Sequence, residues 1–281
     1  MAKLSLSTAI ALIFLLLVAV LIAVVPFLPG YDPYAQNLAA GLLPPGQSSS
    51  DGTFYPLGTD TLGRDMLSRL ALGGQVSLFI GVSAVAVSLV LGVVLGLIAG
   101  FYRGWTESVV MGIADLQLSV PRVLLLIAVA AVMGSGVVKL AILLGVTSWV
   151  SYGRIARAMA LSLREREFVL AATTLGATAS WNIRRHLLPN VLPQMLIVAS
   201  YELGQIIVLE SALSYLGLGV QPPLASWGTM VSDGQTYLEL DPWLSVLPSI
   251  ALFLLVAGIQ IASQSFTREN DMTAELAKSG G

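Results

Sequence analysis

Apolar residues run along this chain in long unbroken blocks, not in the short alternations of a water-soluble core. Six windows are long and apolar enough to cross a bilayer as helices: Thr8–Leu28, Val76–Gly100, Val109–Val132, Val137–Ala158, Val191–Leu213 and Leu244–Phe266. Each crossing needs roughly 20 apolar residues to span about 30 Å of hydrocarbon. The first window exceeds the about 7–15 residues of a signal-peptide apolar region, and no A-x-A-like site follows it, so it is expected to stay as an anchor. The pattern predicts an all-α polytopic membrane protein with six transmembrane helices. Its divisions are an anchor (1–28), an outside loop (29–74), a core of five spans (75–266) and a tail (267–281). Within the core lie a charged loop (163–188) and a second outside loop (214–243).

Charge gives this layout an orientation. Lys3, Arg103, Arg154, Arg157, Arg164, Arg166, Arg184, Arg185, Arg268 and Lys278 fall on one side, against Arg64, Arg69 and Lys139 on the other. The positive-inside rule then places both termini in the cytoplasm. Only 11% of the 281 residues are charged and 56% are hydrophobic, whereas soluble domains are about a quarter charged. Lipid is the expected solvent. A net charge of −2 without a clustered basic face argues against nucleic acid. The chain has no cysteine and one histidine, His186, so disulfides, thiolate chemistry, histidine-built metal sites and a Ser/His/Asp triad with ordinary partners are not expected. Leu70-Ala71-Leu72-Gly73-Gly74-Gln75 superficially resembles a nucleotide-contacting motif of transport ATPases. No G-x-x-x-x-G-K-[ST] loop accompanies it, and it runs into a span on the outside. No catalysis and no bound cofactor are expected in this chain.

Polar residues inside the spans are the candidates for function. Asp115 and Arg122 flank Pro121 in the third window, where a kink is expected; the two charges either snorkel or line a path. Glu202 and Gln205 share a predicted helical face in the fifth window, and Glu210 lies near its outer end. Pathway lining and structural pairing both fit these three. Gly92, Gly96 and Gly100, four apart, predict close helix packing. Outside, Asp60, Arg64 and Asp65 are placed to pair and fix a turn, while Trp227, Tyr237 and Trp243 suit an interfacial belt.

The charged loop predicts two short helices, Leu163–Leu175 and Ala179–Leu187. Gly176 supplies a left-handed cap between them, Thr178 an N-cap, and Pro189 the end of the second. From Ala171-Ala172-x3-Gly176 to His186-x-Leu188-Pro189 this elbow resembles the "EAA" loop of permease subunits of bacterial ATP-binding-cassette importers. Three further stretches resemble the peptide/nickel branch of that family. They are Pro56-Leu57-Gly58-Thr59-Asp60-x2-Gly63-Arg64-Asp65; Leu163-Arg164-Glu165-Arg166-Glu167-Phe168; and Glu210 to Pro223 followed by Ser226-Trp227-Gly228. The resemblance implies a type I importer permease in the bacterial inner membrane, working with a second related permease subunit, two ATPase subunits that hold ATP and Mg, and an outside substrate-binding protein. It also implies that Glu167, Leu170, Ala171, Ala172, Leu175, Gly176, His186 and Pro189 couple to the ATPase. Leu170 stands where the motif has Glu, and residues 261–268 depart from the family's usual ending. Peptides, nickel chelates or other small solutes fit as cargo. An ATPase-independent secondary transporter and a membrane scaffold are the readings from other classes.

Overall fold

The computed structural model describes the backbone of residues 6–279 and the side chains of residues 8–264. The side chains of Lys3, Arg268 and Lys278, and the departure beyond residue 264, lie outside these limits. Among the described residues, the regular structure is helical apart from a short hairpin pairing Gln47–Ser48 with Phe54–Tyr55. Ten α-helices follow in order: α1 Leu6–Val24, α2 Met66–Tyr102, α3 Gly104–Ser119, α4 Arg122–Met133, α5 Val137–Arg164, α6 Glu167–Thr174, α7 Ala179–Asn182, α8 Leu188–Tyr215, α9 Trp227–Gln235 and α10 Trp243–Ser279.

Among the described residues, four stretches are long and apolar enough to cross a membrane: Thr8–Phe27, Met66–Tyr102, Ala179–Tyr215 and Trp243–Gln264. A fifth arises if α3 and α4 count as one broken span, bent by 91°. Helix α5 covers the remaining expected window over 28 residues, but Lys139, Arg154, Arg157 and Arg164 dilute its apolar character. The expected kink at Pro121 is therefore a full break. Val120 is extended, as a residue before proline prefers, and Pro121 has no N–H to carry the ladder across.

Two compact units make up the fold. One comprises residues up to 81, 133–140 and those from 204 onward. In it α1 and α9 both pack on α10, and Phe14 meets Phe253 with ring centroids 6.3 Å apart. Helix α2 starts at Met66, inside the segment expected to be loop to Gly74, because Asp65 caps its first turn: the carboxylate accepts from the Ser68 N–H at 2.8 Å. Asp60 holds the preceding turn. Its carboxylate accepts from the Arg64 N–H at 2.9 Å and Arg64 Nε at 2.6 Å, and faces Arg69 Nε at 3.2 Å. Asp65 thus caps a helix instead of joining the expected triad. Trp227 is wholly buried, contrary to the interfacial belt expected for it. Its indole N–H donates to the Leu70 carbonyl at 2.9 Å, and a β-carbon at Gly74 would stand 2.6 Å from its ring. The Gly73-Gly74 pair of the nucleotide-like motif is a seat for this ring.

The second unit comprises residues 82–132 and 141–203. The glycine stripe of α2 lies against α5. A β-carbon would stand 2.5 Å from the Trp149 carbonyl at Gly92, 2.8 Å from Ala156 Cβ at Gly96 and 2.7 Å from Ala160 Cβ at Gly100. This is the close backbone approach that small-xxx-small spacing permits. Helix α3 is tied to α5 by polar contacts: Trp149 donates to Gln117 at 3.0 Å, Arg157 Nε to Glu107 at 2.7 Å, and Arg154 to Asp115 at 2.5 Å.

Candidate functional site

The charged segment folds as an elbow, its first helix starting at Glu167 instead of the expected Leu163, since Leu163 and Arg164 end α5. Helix α6 ends in a Schellman turn: the Ala177 N–H donates to the Ala172 carbonyl and the Gly176 N–H to the Thr173 carbonyl, both at 3.0 Å. Gly176 sits at φ +88°, where a side chain would be strained. Thr178 then caps α7, its hydroxyl accepting from the Trp181 N–H at 3.3 Å.

The end of the elbow differs from expectation. Pro189 does not stop the helix; residues 179–215 run on as one 37-residue helical stretch. Between α7 and α8, residues Ile183–Leu187 form a π turn, with the Leu188 N–H donating to the Ile183 carbonyl. The wider turn relieves the clash a proline ring makes with the carbonyl four residues back. The elbow is thereby continuous with a membrane helix.

Two faces divide the elbow. Inward, Val169 and Leu187 are buried in one core with Tyr152, Ala156, Ala160, Val191 and Met195. Asn182, 1% exposed, donates to the Thr173 hydroxyl at 3.0 Å and links α7 to α6. His186 lies between Phe168 and Trp181, with ring centroids at 5.4 and 5.0 Å. Outward, Glu167 and Ala171 are exposed, Leu170 is 53% exposed and Leu175 89%. Phe168 and Trp181 keep nearly half their surface open, and Ala172 is half-buried. Sequence reasoning missed the inward anchors Val169, Asn182 and Leu187; only the apolar spacing of the first and last hinted at them.

The candidate pathway residues separate. Asp115 and its partner Arg154 are both exposed. Glu202 is 6% exposed, while Gln205 is exposed, so the two do not share an environment as expected. Arg122 Nη2 donates to the Ser148 hydroxyl at 2.5 Å and stands 3.9 Å from Glu202 Oε2. Glu210 is wholly enclosed and structurally paired, accepting from Ser214 at 2.8 Å and Ser211 at 3.3 Å. The Ser214 hydroxyl also accepts from the Val220 N–H at 3.3 Å. Glu210 fastens the start of the outer loop. No group of His, Cys, Asp or Glu suited to a metal occurs among the described residues.

Comparison with known proteins follows this geometry. The family described as binding-protein-dependent transport system inner membrane component matches residues 92–269. The oligopeptide transport system permease protein OppC of Bacillus subtilis is 37% identical over 252 residues, 90% of this chain and 81% of that protein. The di/tripeptide transport system permease protein DppC of Pseudomonas aeruginosa is 35% identical over 250 residues, covering 89% and 82%. The glutathione transport system permease protein GsiD of Pectobacterium atrosepticum is 36% identical over 206 residues, covering 73% and 68%. In fold, the chain resembles the inward-facing MetNI methionine ABC transporter, with a TM-score of 0.56 and 20% identity over 73% of this chain and 97% of that one. An apolar helical bundle, an elbow continuous with a membrane helix and these relatives lead to one conclusion: the chain belongs to the binding-protein-dependent inner-membrane permeases, as a transport subunit of an ABC importer.

Proposed function

We propose that this subunit carries short peptides inward across the bacterial cytoplasmic membrane, driven by ATP bound with Mg and hydrolysed on two separate ATPase subunits. A second, related permease subunit completes the path, and an outside binding protein delivers the cargo. Both termini face the cytoplasm. Peptide cargo is favoured over nickel chelates because the relatives in hand are named for oligopeptides, di/tripeptides and glutathione. The observation that carries the mechanism is the elbow: an exposed apolar edge at Phe168, Leu170, Leu175 and Trp181, backed by a buried anchor and fused to α8. Such an edge is suited to a soluble partner. A rigid helical lever passes that partner's movement into the bundle better than a loose loop does. Leu170 gives the contact an apolar character where the motif has a carboxylate.

The test uses Ala172→Arg and Gly176→Pro in the intact complex. Both variants are expected to insert normally while ATP hydrolysis loses its dependence on cargo. Wild-type uptake with the ATPase still bound would count against the reading. The secondary-transporter alternative requires cargo movement by the purified chain without any ATPase.

A further inference from the structure

The second unit holds a polar cluster that the coupling elbow does not use. Arg122 opens α4, Ser148 and Tyr152 lie one turn apart on α5, and Glu202 lies on α8. Arg122 is bonded to Ser148, whose hydroxyl in turn donates to the Leu144 carbonyl at 2.5 Å. The guanidinium stops 3.9 Å from Glu202. Among the described residues, two buried atoms of this cluster have no hydrogen-bond partner: Arg122 Nε and Glu202 Oε2. At 3.9 Å the two charges form a long ion pair without a hydrogen bond, between a buried carboxylate and a guanidinium about a third exposed, so a shorter, hydrogen-bonded contact is one small movement away.

We propose that Arg122 and Glu202 form a two-position latch for alternating access. In the state seen here the guanidinium is parked on Ser148; in the other state it closes onto Glu202. The break at Val120–Pro121 lies directly before Arg122, so α4 can tilt with backbone change confined to two non-helical residues. Closing the latch moves the N-terminal end of α4 from a bond with α5 to a bond with α8. Arg122 and Glu202 are thus positioning residues, setting the balance of two conformations. The proposal rests on the reading of the chain as an ATP-coupled permease.

The test compares ATP hydrolysis by the reconstituted complex with and without its binding protein and trialanine. Glu202→Gln removes the closed position and Ser148→Ala the parked one. The two variants are expected to shift basal hydrolysis in opposite directions, each lowering the stimulated-to-basal ratio by roughly fivefold or more, the scale of an ordinary coupling free energy. Arg122→Glu combined with Glu202→Arg is expected to restore part of the ratio lost in Glu202→Gln. Shifts in the same direction, wild-type ratios, or failure of all variants to assemble with the ATPase would overturn the latch. A wild-type complex without stimulation would instead sink the proposed function, so the two failures are distinguishable.

Discussion

Single residues carry sharply different duties in this chain. Glu210 resembles a transport carboxylate in the sequence, yet its carboxylate is enclosed by serines. Replacing it with Leu strands the Ser214 hydroxyl, and the loss of stability is expected to be about 1–3 kcal/mol. Glu210→Gln keeps an acceptor and should lose less; thermal unfolding of the two variants in detergent checks this. Asp233, on α9, lines a cleft with Asp60, Arg64 and Arg69. Burial raises its pKa above the ordinary carboxylate value, against the lowering pull of Arg69 and Arg64. The folded state therefore binds the Asp233 proton more tightly than the unfolded chain does. Its contribution to stability is present below about pH 3.9 and is lost as pH rises through the raised folded value. Asp233→Asn should flatten that decline, so a plot of melting temperature against pH should be shallower above pH 4 than for the wild type. An equally steep plot would remove Asp233 from the account.

Elements were legible where one local rule decided them. Of the six apolar windows, four match helices long and apolar enough to cross a membrane and a fifth matches the bent α3–α4 pair, and Gly176 with Thr178 marked the turn and cap of the elbow, because helix caps depend on a few adjacent atoms. Expectations failed where distant packing decided. Pro121 was visible as a kink, but no local rule gives a 91° bend. Pro189 looked like a stop until the π turn let the helix pass. Trp227 looked interfacial because its seat on α2 lies 157 residues away in sequence. The glycine stripe was readable as spacing, and its partner α5 was not. At this scale Gly96→Leu should force α2 off Ala156, costing about 1–3 kcal/mol or more by overpacking. Val94→Leu, on an exposed face of the same helix, should leave the melting temperature within a degree or so, since surface changes are usually below about 0.5 kcal/mol. Equal effects would mean that the stripe is not a packing surface.

For the whole molecule, the proposed function makes the elbow of the second unit a lever. The elbow's buried anchor and its continuity with α8 make it a solid part of the second unit, while its outward edge leaves apolar side chains open for a partner. On the proposal above, Arg122 and the buried Glu202 give that unit an element with two positions. Because the chain contains no cysteine, Leu175→Cys introduces a single reactive thiol at the tip of the elbow. The decisive measurement is thiol cross-linking from that position in membranes holding the full complex with cysteine-free partner subunits other than the ATPase. The account predicts a covalent product with the ATPase subunit and no labelling by an impermeant reagent added from outside the cell. Labelling from outside, or cargo-driven uptake with position 175 never meeting the ATPase, would contradict it.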